Sequence, residues 1–162
     1  MSGAPAQPAK TTSCGVIVTD GTRLLLGHAT RSPRWDIPKG EAAPGESFAA
    51  AARRELREET GLEAPENALC PLGVFPYRSG KDLALFGWAS APLPDPRTLV
   101  CASCFSLHGS LLPEFDRFGL FTRDEALARV GKDLACLIAG FRSKRYAALR
   151  NEPFVVLKMS QL

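Results

Sequence analysis

No apolar run in this chain approaches the roughly 20 residues that a membrane-spanning helix needs. Residues 1–12, MSGAPAQPAKTT, lack the apolar core of a secretory signal and read as a flexible tail. A reduced, cytoplasmic setting is therefore expected. Cysteine is sparse and odd in number: Cys14, Cys70, Cys101, Cys104 and Cys136 are 5 among 162 residues, which excludes the dense disulfide framework of a small secreted domain. Cys101 and Cys104 form a lone CxxC with no second ligand pair at zinc-site spacing. On a strand they would point to opposite faces, although a redox pair stays open. Charge of one sign is not in excess either. With 20 basic and 17 acidic residues the net charge is +3, enough to attract an anionic small molecule. A basic stripe interleaved with exposed aromatics is missing, so nucleic acid is not expected as a partner except at an RNA 5′ end. The one denser basic group is Arg142, Lys144 and Arg145.

Repeats and interior linkers are also absent. What remains is one domain, expected over residues 13–150 and followed by a segment at 151–162, with an ordinary globular composition of 45% hydrophobic and 23% charged residues. Residues 14–19 (CGVIVT) and 23–28 (RLLLGH) read as strands joined at an Asp20-Gly21 turn. A polar loop, ATRSPRWDIPKGEAAPGE, follows and is too long for a plain connection. Residues 47–60 read as a helix capped by Gly61. Further strands are expected at 69–75, 83–89, 99–105 and 118–121. A capping box at 122–125 opens a helix through Val130, and residues 132–149 read as a last helix. A mixed α/β sheet with helices on both sides buries these elements most simply.

The helix at 47–60 carries the chemistry. At about 100° per residue, Glu58 and Glu59 fall within roughly 60° of Glu55, while Ala49, Ala52 and Leu56 make an apolar stripe beside them. Arg54 lies one turn before Glu58, within ion-pairing reach. A solvated face laced with salt bridges is one reading of such glutamates. Like charges at neighbouring helical positions, set toward the C-terminal end where the dipole disfavours them, favour another: a divalent cation that offsets both effects.

The stretch GEAAPGESFAAAARRELREETGL, residues 40–62, resembles the signature of the Nudix hydrolases. Gly40, Glu46, Arg54, Glu55, Leu56, Glu58, Glu59, Gly61 and Leu62 occupy every fixed position. A chance match is rarer than about one in a million at average residue usage. The resemblance implies an α/β/α sandwich and Mg2+- or Mn2+-dependent hydrolysis of a nucleoside diphosphate linked to another group. Carried over by position, it implies that Glu58 and Glu59 are metal ligands, with the Gly40 carbonyl as a backbone ligand. Glu55 holds metal or serves as a base, and Arg54 and Glu46 support the glutamates. Members differ in which glutamate takes the proton, Glu55 or Glu58 inside the stretch or one in a later loop. In LLPEFDRF the candidate is Glu114, with Asp116 as a rival.

The flanks bear on the substrate. Trp35-Asp36-Ile37-Pro38-Lys39-Gly40 resembles the diadenosine polyphosphate hydrolase branch of the family and some relatives acting on other polyphosphates. That implies phosphate contact at Lys39 and a base pocket at Trp35, with Arg34 beside His28 and Arg31 as cations suited to a long polyphosphate. Trp35 packed on the core is the alternative. Tyr77, Lys81 and Phe86 resemble the branch's phosphate and base contacts, and its last-strand aromatic is Phe118 or Phe121 here. A dinucleoside polyphosphate is the expected substrate. A nucleoside triphosphate, a nucleotide sugar and a 5′-triphosphorylated RNA are alternatives within the enzyme class. A catalytically silent nucleotide sensor is the alternative outside it.

Overall fold

The hydrophobic alternation along the first strand sets up two cores, one on each face of a mixed seven-stranded sheet. A computed structural model describes residues 9–141. In chain order the elements are β1 (Thr11–Thr19), β2 (Arg23–Ala29), β3 (Trp35–Asp36), β4 (Lys39–Glu41), α1 (Phe48–Thr60), β5 (Cys70–Arg78) and β6 (Lys81–Ala89). A 3-10 turn at Pro96–Thr98 leads to β7 (Cys104–Leu107), β8 (Ser110–Pro113), β9 (Phe115–Thr122), α2 (Arg123–Leu127) and α3 (Lys132–Gly140). From β1, Cys14, Val16 and Val18 pack toward Ala51, Ala52 and Leu56 of α1. Ile17 points the other way, into a cluster with Ala126, Leu134 and Ile138 of α2 and α3. This is the expected α/β sandwich with a mixed sheet.

The Asp20-Gly21 turn is as expected. The Asp20 carboxylate accepts the Thr22 and Arg23 N–H groups at 2.8 Å, and Gly21 adopts φ 92°. Yet β1 and β2 share only the Thr19–Leu24 register before parting. Beyond that point β1 pairs with β4 and, in parallel, with β6, whereas β2 pairs with β3 and β9. The polar loop between them is therefore not all loop, because its middle is stitched to both strands as β3 and β4. Gly15 permits the close approach, since a Cβ there would lie 2.9 Å from Ile37 and 3.0 Å from the Lys39 side chain.

Other boundaries need correcting. β1 starts at Thr11, inside the expected tail, because the β-branched pair Thr11-Thr12 continues the ladder against Lys81 and Asp82. Of residues 99–105 only Cys104 and Phe105 are in a strand, the start of β7, and residues 99–103 are not. Their N–H groups are taken up by the end of α1, from Val100 to the Thr60 carbonyl and from Ala102 and Ser103 to that of Glu58. β9 reaches back to Phe115 through its ladder with β2. Helix α2 stops at Leu127 because Gly131 starts a new helix. The last helix ends at Gly140, and residues 142–149 of the expected helix, with Arg142, Lys144 and Arg145, lie outside the described residues. Ala49 is exposed, and Ala51 takes its place in the buried stripe.

Helix α1 is well framed. Ser47 accepts the Ala50 N–H as N-cap, and Gly61 closes the helix at φ 78°. Leu56, fully buried, anchors α1 to the sheet. Replacing Leu56 by alanine is expected to cost about 2–5 kcal/mol of unfolding free energy, read as a lowered urea midpoint.

Candidate metal and catalytic site

Two of the three helix glutamates are not on the surface. Glu59 is 2% exposed and Glu55 8%, so burial removes both carboxyls from water at the seam between α1 and β4. Glu58 keeps its side chain 41% exposed. Glu59 Oε2 accepts the backbone N–H of Lys39 at 2.8 Å. Burial first, and then a hydrogen bond with the Glu114 carboxyl, push the Glu59 pKa up to about 9. Burial likewise raises Glu55 against the pull of Arg54.

Arg54 organises the rest. Its Nε and Nη2 grip both oxygens of Glu46 at 2.9 and 3.0 Å, and Nη2 also donates to the Glu41 carbonyl at 3.0 Å. Its Nη1 donates to Glu55 at 2.6 Å and reaches Glu58 at 3.4 Å. The fork holds the Glu46 pKa down at about 2, and Glu46 in turn accepts the Ala43 N–H at 2.9 Å. The loop before α1 is thus tied to the helix through one guanidinium.

Gly40 lies opposite Cys14 in the β1–β4 ladder, and a Cβ on it would collide with the Glu55 carboxylate. Only glycine allows the strand backbone and that carboxylate to meet. Glu114 reaches the same place from the far side of the chain. Its N–H donates to Ser103 O at 2.9 Å and its carbonyl accepts from Thr30 at 3.0 Å, while Ser103 itself hangs from the end of α1. Residues 100–103, the larger part of the segment expected as a strand, are instead the strap that carries Glu114 to Glu59. Asp116 turns elsewhere, holding His28 Nδ1 at 2.8 Å.

Magnesium and manganese favour hard oxygen donors, and the carboxylates of Glu55, Glu58, Glu59 and Glu114 and the Gly40 carbonyl are oxygens of that chemistry. Among the described residues no three acidic, histidine or cysteine side chains stand together as a group that could hold a metal ion, and Arg54 bonds both Glu55 and Glu58.

The expected substrate contacts are dispersed. Burial works against the charge on Lys39, yet Asp36 at 2.6 Å outweighs it and holds the ammonium above its ordinary pKa. Lys81 pairs with Glu41 at 2.6 Å. Tyr77 is buried in the α3-side core and Phe86 in the α1-side core, so they do not share a pocket. Trp35 packs edge-on to His28 and Phe121, with Arg117 over its ring. Arg31 and Arg34 are exposed. Cys101 and Cys104 are free thiols that bond backbone carbonyls, and burial raises the Cys101 pKa. Sequence reasoning missed Asp36 and Glu41 as the partners of the two lysines. The i,i+3 spacing of Asp36 and Lys39 was a readable signal, whereas the Glu41–Lys81 pair has none.

The NUDIX domain profile matches residues 9–134. The chain belongs to the Nudix family. It is a Nudix hydrolase, with the signature glutamates on α1 and the fold that the family shares. An uncharacterized 17.7 kDa protein of Enterobacteria phage T4, from the e-segB intergenic region, is 40% identical over 129 residues, 72% of this chain and 85% of that protein. A Mycobacterium tuberculosis protein named as a candidate 8-oxo-dGTP diphosphatase 2 is 40% identical over 77 residues, 45% of this chain but only 50% of that protein. The solved Escherichia coli ORF135 protein aligns with TM-score 0.58 at 24% identity, over 91% of this chain and all (100%) of that one, a likeness of fold. No helix of the described residues is long and apolar enough to cross a membrane.

Two predictions follow from this geometry. Gly40→Ala should fold but bind Mn2+ about 10–100-fold more weakly by calorimetry, because it displaces Glu55; unchanged affinity would remove Gly40 from the site. The second concerns pH. Glu59 titrates at about 9 when folded and near 4.5 when free, so between these values the folded, metal-free chain holds a proton the unfolded chain has lost. Its melting temperature in chelator should fall as pH rises through that window, and Glu59→Gln should flatten the slope.

Proposed function

We propose that this chain hydrolyses a phosphoanhydride bond in a nucleotide of the form nucleoside diphosphate linked to X, and that X is a phosphate, making the substrate a nucleoside triphosphate. The single observation that carries the chemistry is the buried Glu59 carboxyl facing Glu114 beside Gly40. Such a cluster of carboxyls is poorly tolerated without a cation, and a cation there is what a polyphosphate needs.

Glu55, Glu58, Glu59 and the Gly40 carbonyl would hold Mg2+ or Mn2+, which when bound supplies charge neutralisation on phosphate oxygens and a more acidic water. Glu114 receives the proton of the attacking water, since its backbone is pinned on both sides while its side chain remains exposed. The water oxygen bonds to phosphorus and the bridging oxygen leaves with the departing phosphate group. Arg54 and Glu46 keep the glutamates oriented. Lys39 serves through its backbone N–H on Glu59.

A nucleoside triphosphate is preferred to the dinucleoside polyphosphate because Lys39 and Lys81, on which the longer substrate would draw, are already ion-paired. The partial likeness to a candidate 8-oxo-dGTP diphosphatase supports the same choice. The test is a panel of nucleoside triphosphates, dinucleoside polyphosphates, nucleotide sugars and 5′-triphosphorylated RNA, with products identified in 18O-labelled water. Faster turnover of a dinucleoside polyphosphate would reverse the preference, and tight binding without turnover of any member would favour the sensor. On the best substrate, Glu114→Gln should lower kcat about 10²–10⁴-fold. Glu58→Gln should lower it at least about 100-fold with an unchanged melting curve.

A further inference from the structure

The outward face of α1 carries two arginines, Arg53 and Arg57, that the hydrolytic centre does not use. Arg53, Arg54 and Arg57 line a cleft of about 440 Å3, walled on the far side by Glu63, Ala64 and Pro65. Arg53 and Arg57 are one helical turn apart, where two like charges repel. Among the described residues neither forms an ion pair with an acid, whereas Lys39, Lys81, Arg54 and Arg97 each do. Arg57 in the last turn of α1 gains from the helix dipole, but Arg53 is mid-helix and has no such compensation. Arg53 is also held in place: its Nε donates to the Ala64 carbonyl at 3.2 Å, bridging the helix to the loop that walls the cleft. Two guanidiniums without a carboxylate partner, one of them anchored through its Nε, beside Arg54 in a concave setting with Glu63 on the far wall, offer several N–H donors to the oxygens of an oxyanion.

We propose that this cleft is a phosphate-binding site, separate from the reacting phosphorus and joined to the metal site through Arg54. Arg54 is the shared wall, since its Nη1 already contacts Glu55 and Glu58. A phosphate drawing on that guanidinium loosens its hold on the two carboxylates, which then meet a divalent cation more readily. The ligand is a phosphate oxyanion, arriving either as a remote phosphate of a longer substrate or as free orthophosphate. The proposal rests on the metal role assigned to Glu55 and Glu58, but the binding itself is measurable without turnover.

The experiment titrates sodium phosphate, with sodium chloride at matched ionic strength as control, into the full-length protein while recording 15N spectra of the arginine Nε–H groups and backbone. Phosphate is expected to shift the Arg53 and Arg57 signals and the Ala50 amide, and Arg57→Gln, which leaves the Arg53–Ala64 contact intact, should weaken binding at least 5-fold. Mn2+ affinity by calorimetry should rise at least 3-fold in saturating phosphate, and this gain should vanish in the variant. No shift at these residues up to 50-fold excess over the expected millimolar range, or equal shifts in chloride or in Arg57→Gln, would overturn the site. Shifts without any change in Mn2+ affinity would overturn the link through Arg54. A KM raised in Arg57→Gln for 5′-triphosphorylated RNA but not for nucleoside triphosphates assigns the phosphate to the longer substrate, and a KM unchanged for every substrate together with loss of the phosphate-induced gain in Mn2+ affinity assigns it to the free ion. Absence of hydrolysis by the wild type alongside intact shifts would instead remove the hydrolase reading and leave the cleft standing.

Discussion

At the seam of α1 and β4 the Glu59 carboxyl is almost sealed from water, with the Lys39 N–H on one oxygen and Glu114 facing it. Burying an ionised carboxyl is unfavourable without hydrogen bonds or a counter-charge. The neighbourhood is organised around that demand. β4 supplies a donor because it is stitched to β1, Gly40 leaves space because it has no side chain, and Arg54 brings positive charge close without closing the site. A divalent cation suits the same place for the same reason.

Arg54 has two functions at once. Its bidentate grip on Glu46 ties the glycine-containing loop to the helix, while its remaining nitrogen restrains Glu55 and Glu58. Charge-assisted forks of this kind fix geometry as well as contribute energy. The helix end matters equally. Carbonyls that α1 leaves unpaired at its C-terminus accept Val100, Ala102 and Ser103, and this strap continues by hydrogen bonds to Glu114. A routine requirement of helix termination thereby delivers the Glu114 side chain to Glu59 from more than fifty positions along the chain.

Much was legible locally. The helix limits, Ser47 and Gly61 as caps, and the acidic register followed from propensities and a 3.6-residue period. The resemblance to the signature implied the pairing of Glu46 with Arg54, and the same resemblance, with its position before a strand, made Glu114 a candidate. Other features depended on distant partners. Residues 99–105 have the apolar look of a strand, but the open carbonyls of α1 take the N–H groups of Val100, Ala102 and Ser103, so the strand begins only at Cys104. β3 and β4 are too short to show a period, and only the parting of β1 from β2 makes room for them. Lys39 and Lys81 looked like phosphate contacts because sequence shows a cation but not the carboxylate beside it.

The sequence by itself determined the family and singled out the helix glutamates, Arg54 and Gly40 as candidates, because each is a matter of residue type at fixed spacing within one helix and its entry loop. The tertiary structure alone decided which glutamates are buried, that Glu114 rather than Asp116 meets Glu59, and which cations remain unpaired. Those outcomes depend on burial and on contacts between residues far apart in the chain, and a linear pattern carries neither.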